Sequence, residues 1–230
     1  MNFSIYLKFF LFAVLLVLLS TVGFNRLIDP YALYGDPTIE GVNANKPAFS
    51  SHAYMAKATA VTVAPPTTIF LGSSRGERGM DPLHPALSGD KRYNLSLSGS
   101  SIYEALRYFQ HSHATESLKQ VVLGLGLRQF KHADQVSPSF TEERLSVSAE
   151  GATQNRSWLL ADLAVIASLD SIAASIETLW KQDETPHLLL HGEYNPQRLI
   201  EDMTSHRADF LSNEKSYINS HYKDFSFTDN

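Results

Sequence analysis

The apolar positions of this chain begin as one unbroken block and only later break into periodic runs. From Ile5 to Phe24 the sequence (IYLKFFLFAVLLVLLSTVGF) holds a single charge, Lys8, near its start. Roughly 20 apolar residues at about 1.5 Å rise cross a bilayer core about 30 Å thick. Residues 5–24 therefore predict a membrane-spanning helix, with Lys8 reaching back to the headgroups. A cleaved export signal is the competing possibility. Its apolar stretch is usually about 7–15 residues and ends in a small-x-small site. Here Leu11–Leu19 runs into Ser20-Thr21-Val22-Gly23, a poor match. Lys8 and the terminal amine on one side, against Arg26 on the other, favour the N terminus inside and the body exported.

Beyond Phe24 the pattern changes character. Asn25–Ala64 is punctuated by Pro30, Gly35, Pro37, Gly41 and Pro47, with room for one short helix over His52–Thr62. Pro65-Pro66 then introduces Thr67–Leu71, a β-branched and aromatic run stopped by Gly72, which predicts a buried strand. Arg92–Leu97 and Gln120–Leu125 predict two more. Between them Ser101–His113 predicts a helix, opened by the capping box Ser101-x-x-Glu104 and presenting Ile102, Ala105, Leu106 and Phe109 on one face. Strand, connection, strand, helix, strand is the order of a parallel sheet with helices packed on it, so the fold class is α/β. Lys131–Asn155 is polar and reads as a loop. Ser157–Lys181 predicts one long amphipathic helix over the sheet. Asp162, Asp170 and Glu177 argue against a second membrane span, because each costs several kcal/mol in lipid. The tail from Pro196 is polar and partly helical. The chain thus divides into an anchor (1–25), an irregular membrane-proximal segment (26–64) and an α/β domain (65–230).

Composition narrows the chemistry. The net charge is −5 with both signs interspersed, so no basic stripe suggests nucleic acid and no lysine cluster suggests a headgroup patch. With no cysteine, disulfides, thiol nucleophiles and thiolate metal sites drop out. His111-x-His113 reads as exposed helix without an acidic companion, which gives no metal site.

The chemically suggestive segment is Gly72-Ser73-Ser74-Arg75. A strand that stops there puts a hydroxyl at the carboxyl edge of the sheet, where open α/β folds keep their ligands. On position alone the ordinary role of a serine at a strand end, capping a short helix, is the favoured one for Ser73 or Ser74. No Gly-Lys-Ser/Thr follows, so this is no P-loop. Gly72-Ser73-Ser74-Arg75-Gly76 satisfies the bare G-x-S-x-G expression, but Gly76, Gly79 and Pro82 disfavour the long helix that should follow a lipase-type elbow.

Three blocks end parallel strands on one edge: Gly72-Ser73-Ser74, Asn94-x4-Gly99 and Gly124-Leu125-Gly126. Together with the apolar N terminus, Asp29-Pro30-Tyr31, Arg75-x5-Asp81-Pro82 and Asn94-Leu95-x3-Gly99-x4-Glu104, they resemble the SGNH (GDSL-like) hydrolase superfamily. The likeness is to its membrane-anchored bacterial envelope branch, in which Gly-Ser-Ser replaces Gly-Asp-Ser. The resemblance implies a flavodoxin-like sheet, Ser74 as nucleophile (Ser73 as the alternate), and oxyanion or binding roles for Gly99, Asn94, Gly126 and Arg75. It also implies ester hydrolysis or acyl transfer on an envelope glycan or lipid, with no cofactor, in a single-pass protein of the cytoplasmic membrane. Such a serine needs a histidine oriented by a carboxylate, which the superfamily supplies from an Asp-x-x-His turn near the C terminus. The expectation is that no Asp-x-x-His stands anywhere in the chain, Asp183–His187 and Asp202–His206 each being one residue too long. Three strands are found where the fold needs about five. The expectation is therefore a chain truncated before its final βα units, with its chemistry impaired. The alternative is a non-catalytic tethered module that binds a glycan or a partner protein.

Overall fold

The computed structural model describes residues 3–205, except 36, 88, 132–135, 155–158, 187 and 190. Its elements are α1 (Phe3–Ile28), α2 (Ala53–Val63), β1 (Thr68–Gly72), α3 (Ser74–Gly79), β2 (Arg92–Asn94), α4 (Ile102–His113), β3 (Gln120–Gly124), α5 (Leu127–Lys131), α6 (Leu159–Ile166), α7 (Leu169–Trp180) and α8 (Pro196–Ser205), with a 3-10 turn over Pro47–His52. The strands form a parallel sheet in the order β2-β1-β3, with Ile69 beside Tyr93 and Val121, and Leu71 beside Leu123. The α/β class and the flanking helices agree with the sequence. Strand β2 is short, but its ladder runs on as predicted: Leu95 N–H donates to Phe70 O and Leu97 N–H to Gly72 O.

β1 is buried along its whole length because it lies in the middle of the sheet. Ile69, Leu71, Leu95 and Leu97 join Ala58 and Val61 of α2, Tyr108 of α4, and Leu145 and Val147 in the main apolar cluster. β3 departs from expectation. It is an edge strand, Val122 is only half-buried and Leu123 is 50% exposed.

α4 has its predicted capping box, and Ala105 and Phe109 of its predicted face do pack inward, but the buried face is wider and largely polar. Leu106 is 49% exposed, while Glu104, Arg107, Tyr108, His111 and Ser112 are buried. The cause is the segment expected to be a surface loop. Arg107 donates to both oxygens of Glu142 and to the carbonyls of Val147 and Ser148, drawing residues 142–148 over the helix. His111, expected at the surface, is also buried: Ser146 N–H donates to its Nδ1, and its Nε2 meets Ala58 O.

The predicted long helix is two helices. Ser168 ends α6 and caps α7, its hydroxyl accepting from Ser171 N–H. The pair does not cover the sheet. It packs against the C-terminal end of α1, which continues past Phe24 to Ile28. Asn25 is fully buried there: its amide donates to Ile166 O and its Oδ1 accepts from Ser175 Oγ. Tyr31, Leu33, Ala48 and Ala174 form a second apolar cluster beside this junction. α1 is the one described helix long and apolar enough to cross a membrane, a property shared by single-pass anchors and signal sequences.

Candidate functional site

The carboxyl edge of the sheet is built on close backbone contacts. β1 ends at Gly72, where an added Cβ would lie 2.9 Å from Gly124 O. On α3, a Cβ at Gly76 would lie 2.6 Å from Ser96 Oγ, and one at Gly124 would overlap Met80 Cε. Only glycine lets α3, β2 and β3 approach this closely. Ser73 is the extended residue before α3 and Ser74 its first residue. A helix therefore does follow the serines at once, but it is six residues long. Neither serine hydroxyl bonds to a described residue, and Ser73 makes no capping bond. Both serines are half-buried and Arg75 is exposed.

The neighbouring blocks meet the serines' rim in different ways. Gly99 sits in an exposed turn at φ +79°, a left-handed conformation that favours glycine, and Ser100 Oγ ties this turn to Gly72 O at 3.0 Å. Asn94 is fully buried, and its side chain is spent within the fold. Its amide donates to Gly76 O (3.0 Å) and Met80 O (2.8 Å), and its Oδ1 accepts from Ser96 N–H. It braces α3 against β2. Gly126 N–H is likewise taken, by Gln129 Oε1 at 2.9 Å.

Behind α3 lies a charged cluster that the sequence reasoning passed over. Lys57, fully buried, donates to Glu77 Oε1 at 3.0 Å and to Ser96 O at 2.6 Å. Ser98 Oγ donates to Glu77 Oε2. Burial presses the Lys57 ammonium below its ordinary value, and Glu77 opposes that shift. Glu193, 5% exposed, holds a buried Oε2 with no hydrogen-bond partner among the described residues, and burial raises its carboxyl above the ordinary range. The segment around Glu193 closes the rim: Asn94 N–H donates to His191 O, Tyr194 N–H to Glu77 O, and the Arg78 guanidinium stands over the Tyr194 ring. One signal could have found this cluster, since Lys57 is the only charge in the eleven residues of α2.

No described hydrogen bond joins a histidine to Ser74; His132, His187, His206 and His221 lie outside the described residues. The expectation that the Asp-x-x-His block is missing needs one correction. It holds for the C-terminal region, but Asp81-Pro82-Leu83-His84 has that spacing. There it forms a local turn: Leu83 N–H donates to Asp81 Oδ1, and Ala86 N–H donates to His84 Nδ1. A neutral imidazole that accepts at Nδ1 carries its proton on Nε2 and has no base to offer there. Among the described residues no three metal-ligating side chains gather. No protein-family model matches the chain, and neither a curated protein nor a solved structure does.

Proposed function

We propose that this chain is a membrane-tethered, exported domain of the SGNH-hydrolase type, oriented by Lys8 with its N terminus inside. Its family chemistry would be ester hydrolysis or acyl transfer on a cell-envelope glycan or lipid, and we infer that this chemistry is impaired, because no histidine among the described residues bonds to Ser74. One observation carries this reading. Gly72-Ser73-Ser74 leaves the central strand of a parallel sheet at its carboxyl end, beside the Gly99 turn, with both serine hydroxyls unspent. A serine hydroxyl without a general base within about 3.2 Å stays protonated and reacts slowly.

The second reading, a non-catalytic module that binds a glycan or a partner protein, draws on Asn94 and Gly126. Their polar groups are engaged inside the fold rather than offered to a substrate. A fluorophosphonate probe applied to the full chain in membranes separates the possibilities. The impaired reading expects labelling far slower than that of an intact serine esterase, and unchanged by Ser74→Ala. Fast labelling abolished by Ser74→Ala would make the chain a working hydrolase. If Ser73→Ala abolished it instead, the nucleophile would lie one residue earlier.

A further inference from the structure

We propose that the corner between α6 and α7 is a second bilayer contact, seated through Leu169 at the headgroup–acyl boundary beside α1. The inference rests on the anchor reading of α1 and goes beyond it. Every residue from Phe3 to Ser20 is exposed, a free length of about 27 Å at 1.5 Å per residue, close to one bilayer core. From Thr21 onward the helix enters the body and packs on α6 and α7. The lipid boundary on that side therefore falls near residue 20.

Contacts at both ends of the junction fix the direction of α7. Ser175 bonds Asn25. Six residues later, Lys181 O accepts from the Asn45 amide, and the neighbouring Lys46 bonds Asp29, the residue that follows α1. Higher numbers on α7 thus run with higher numbers on α1, and the start of α7 points back toward the lipid. Leu169 lies six residues before Ser175, about 9 Å along the helix, which brings it level with the last free turn of α1. It is 82% exposed, an expensive position for leucine in water and a favourable one at a bilayer interface. The exposed Asp170 beside it limits the depth to the headgroup level. Trp180, 83% exposed at the far end of α7, stands about 16 Å from Leu169 along the helix, in the direction away from the free part of α1.

The chain has no cysteine, so single-cysteine variants of the full protein can carry an environment-sensitive fluorophore in vesicles containing nitroxide-labelled lipids. Val14→Cys, in the middle of the free part of α1, should be quenched by a nitroxide deep in the acyl chain. Leu169→Cys should be quenched by a nitroxide near the headgroup several-fold more than Trp180→Cys. Equal quenching at 169 and 180, or stronger quenching at 180, with Val14→Cys still quenched, would overturn the contact and leave the anchor intact. An unquenched Val14→Cys would overturn the anchor and the contact together. Shielding of position 169 from lipid nitroxide and from aqueous iodide alike would overturn the contact in favour of a second copy of the chain.

Discussion

His111 shows how much of a residue's role lies outside its own neighbourhood in sequence. On α4 it alternates with polar neighbours and suggests a solvated face, yet it joins α2 to the segment after Phe140 through Ala58 O and Ser146 N–H. Both bonds suit the neutral ring with its proton on Nε2. Burial first, and then the Arg107 charge, lower its pKa from the ordinary 6.5, with the Ala58 carbonyl opposing. The unfolded chain then takes up the proton more readily than the folded one. Its contribution to stability is full above about pH 6.5 and is lost as pH falls below it, by at most about 1.4 kcal/mol per pH unit. Denaturant midpoints measured from pH 8 down to 5 should fall more steeply in the wild type than in His111→Gln. Parallel profiles for the two would show that the ring titrates as it does in the unfolded chain. Lys57 teaches the same lesson. Its isolation in α2 was visible in the sequence, but its partner Glu77, 20 positions away, was not.

At the scale of elements, what is encoded locally was legible and what is set by docking was not. The strands, the Ser101 capping box and the glycine stops are written in neighbouring residues, and their bounds agree with the sequence to within a few positions. The polar part of the inward face of α4 depends on Glu142 reaching Arg107, and no periodicity within α4 contains that information. The same holds for the break at Ser168, which reads as one more polar position in a long amphipathic pattern. It was equally so at the serine rim. The glycine–serine stops were visible, whereas the consumption of Asn94 by α3 was not. β3 gives the quantitative contrast. Leu123 and Leu71 are register partners, but the first is 50% exposed and the second 3%. Leu71→Ala should therefore cost about 2–5 kcal/mol, whereas Leu123→Ala should stay within about 1 kcal/mol. Urea unfolding of the two variants checks this, and comparable losses would mean that β3 is covered in solution.

For the whole molecule, the junction at Asn25 decides where the apolar helix ends and the body begins. A chain starting at Ser20 keeps the buried part of α1, with Asn25 and Ile28 and the bonds of Asn25 to Ile166 and Ser175. A chain starting at Asp29 loses the buried Ile28 and leaves Ser175 Oγ and Ile166 O without their partner. Burial of one isoleucine is worth about 1.5–3 kcal/mol, and each orphaned buried polar group costs about 1–3 kcal/mol. The shorter chain should therefore unfold at a clearly lower denaturant midpoint, by the equivalent of about 3 kcal/mol or more, and equal midpoints would show that the last turns of α1 are dispensable. The junction has a mechanical consequence as well. Because α1 enters the body as unbroken helix, with no hinge or linker between, it is built as a lever arm: were its first eighteen residues in a bilayer, as proposed, any tilt it adopted would be the tilt of the body. Helices tilt to match the thickness of the layer around them. The height of the serine rim above the surface, and the direction it faces, would then be dictated by the lipid rather than by the reach of a tether.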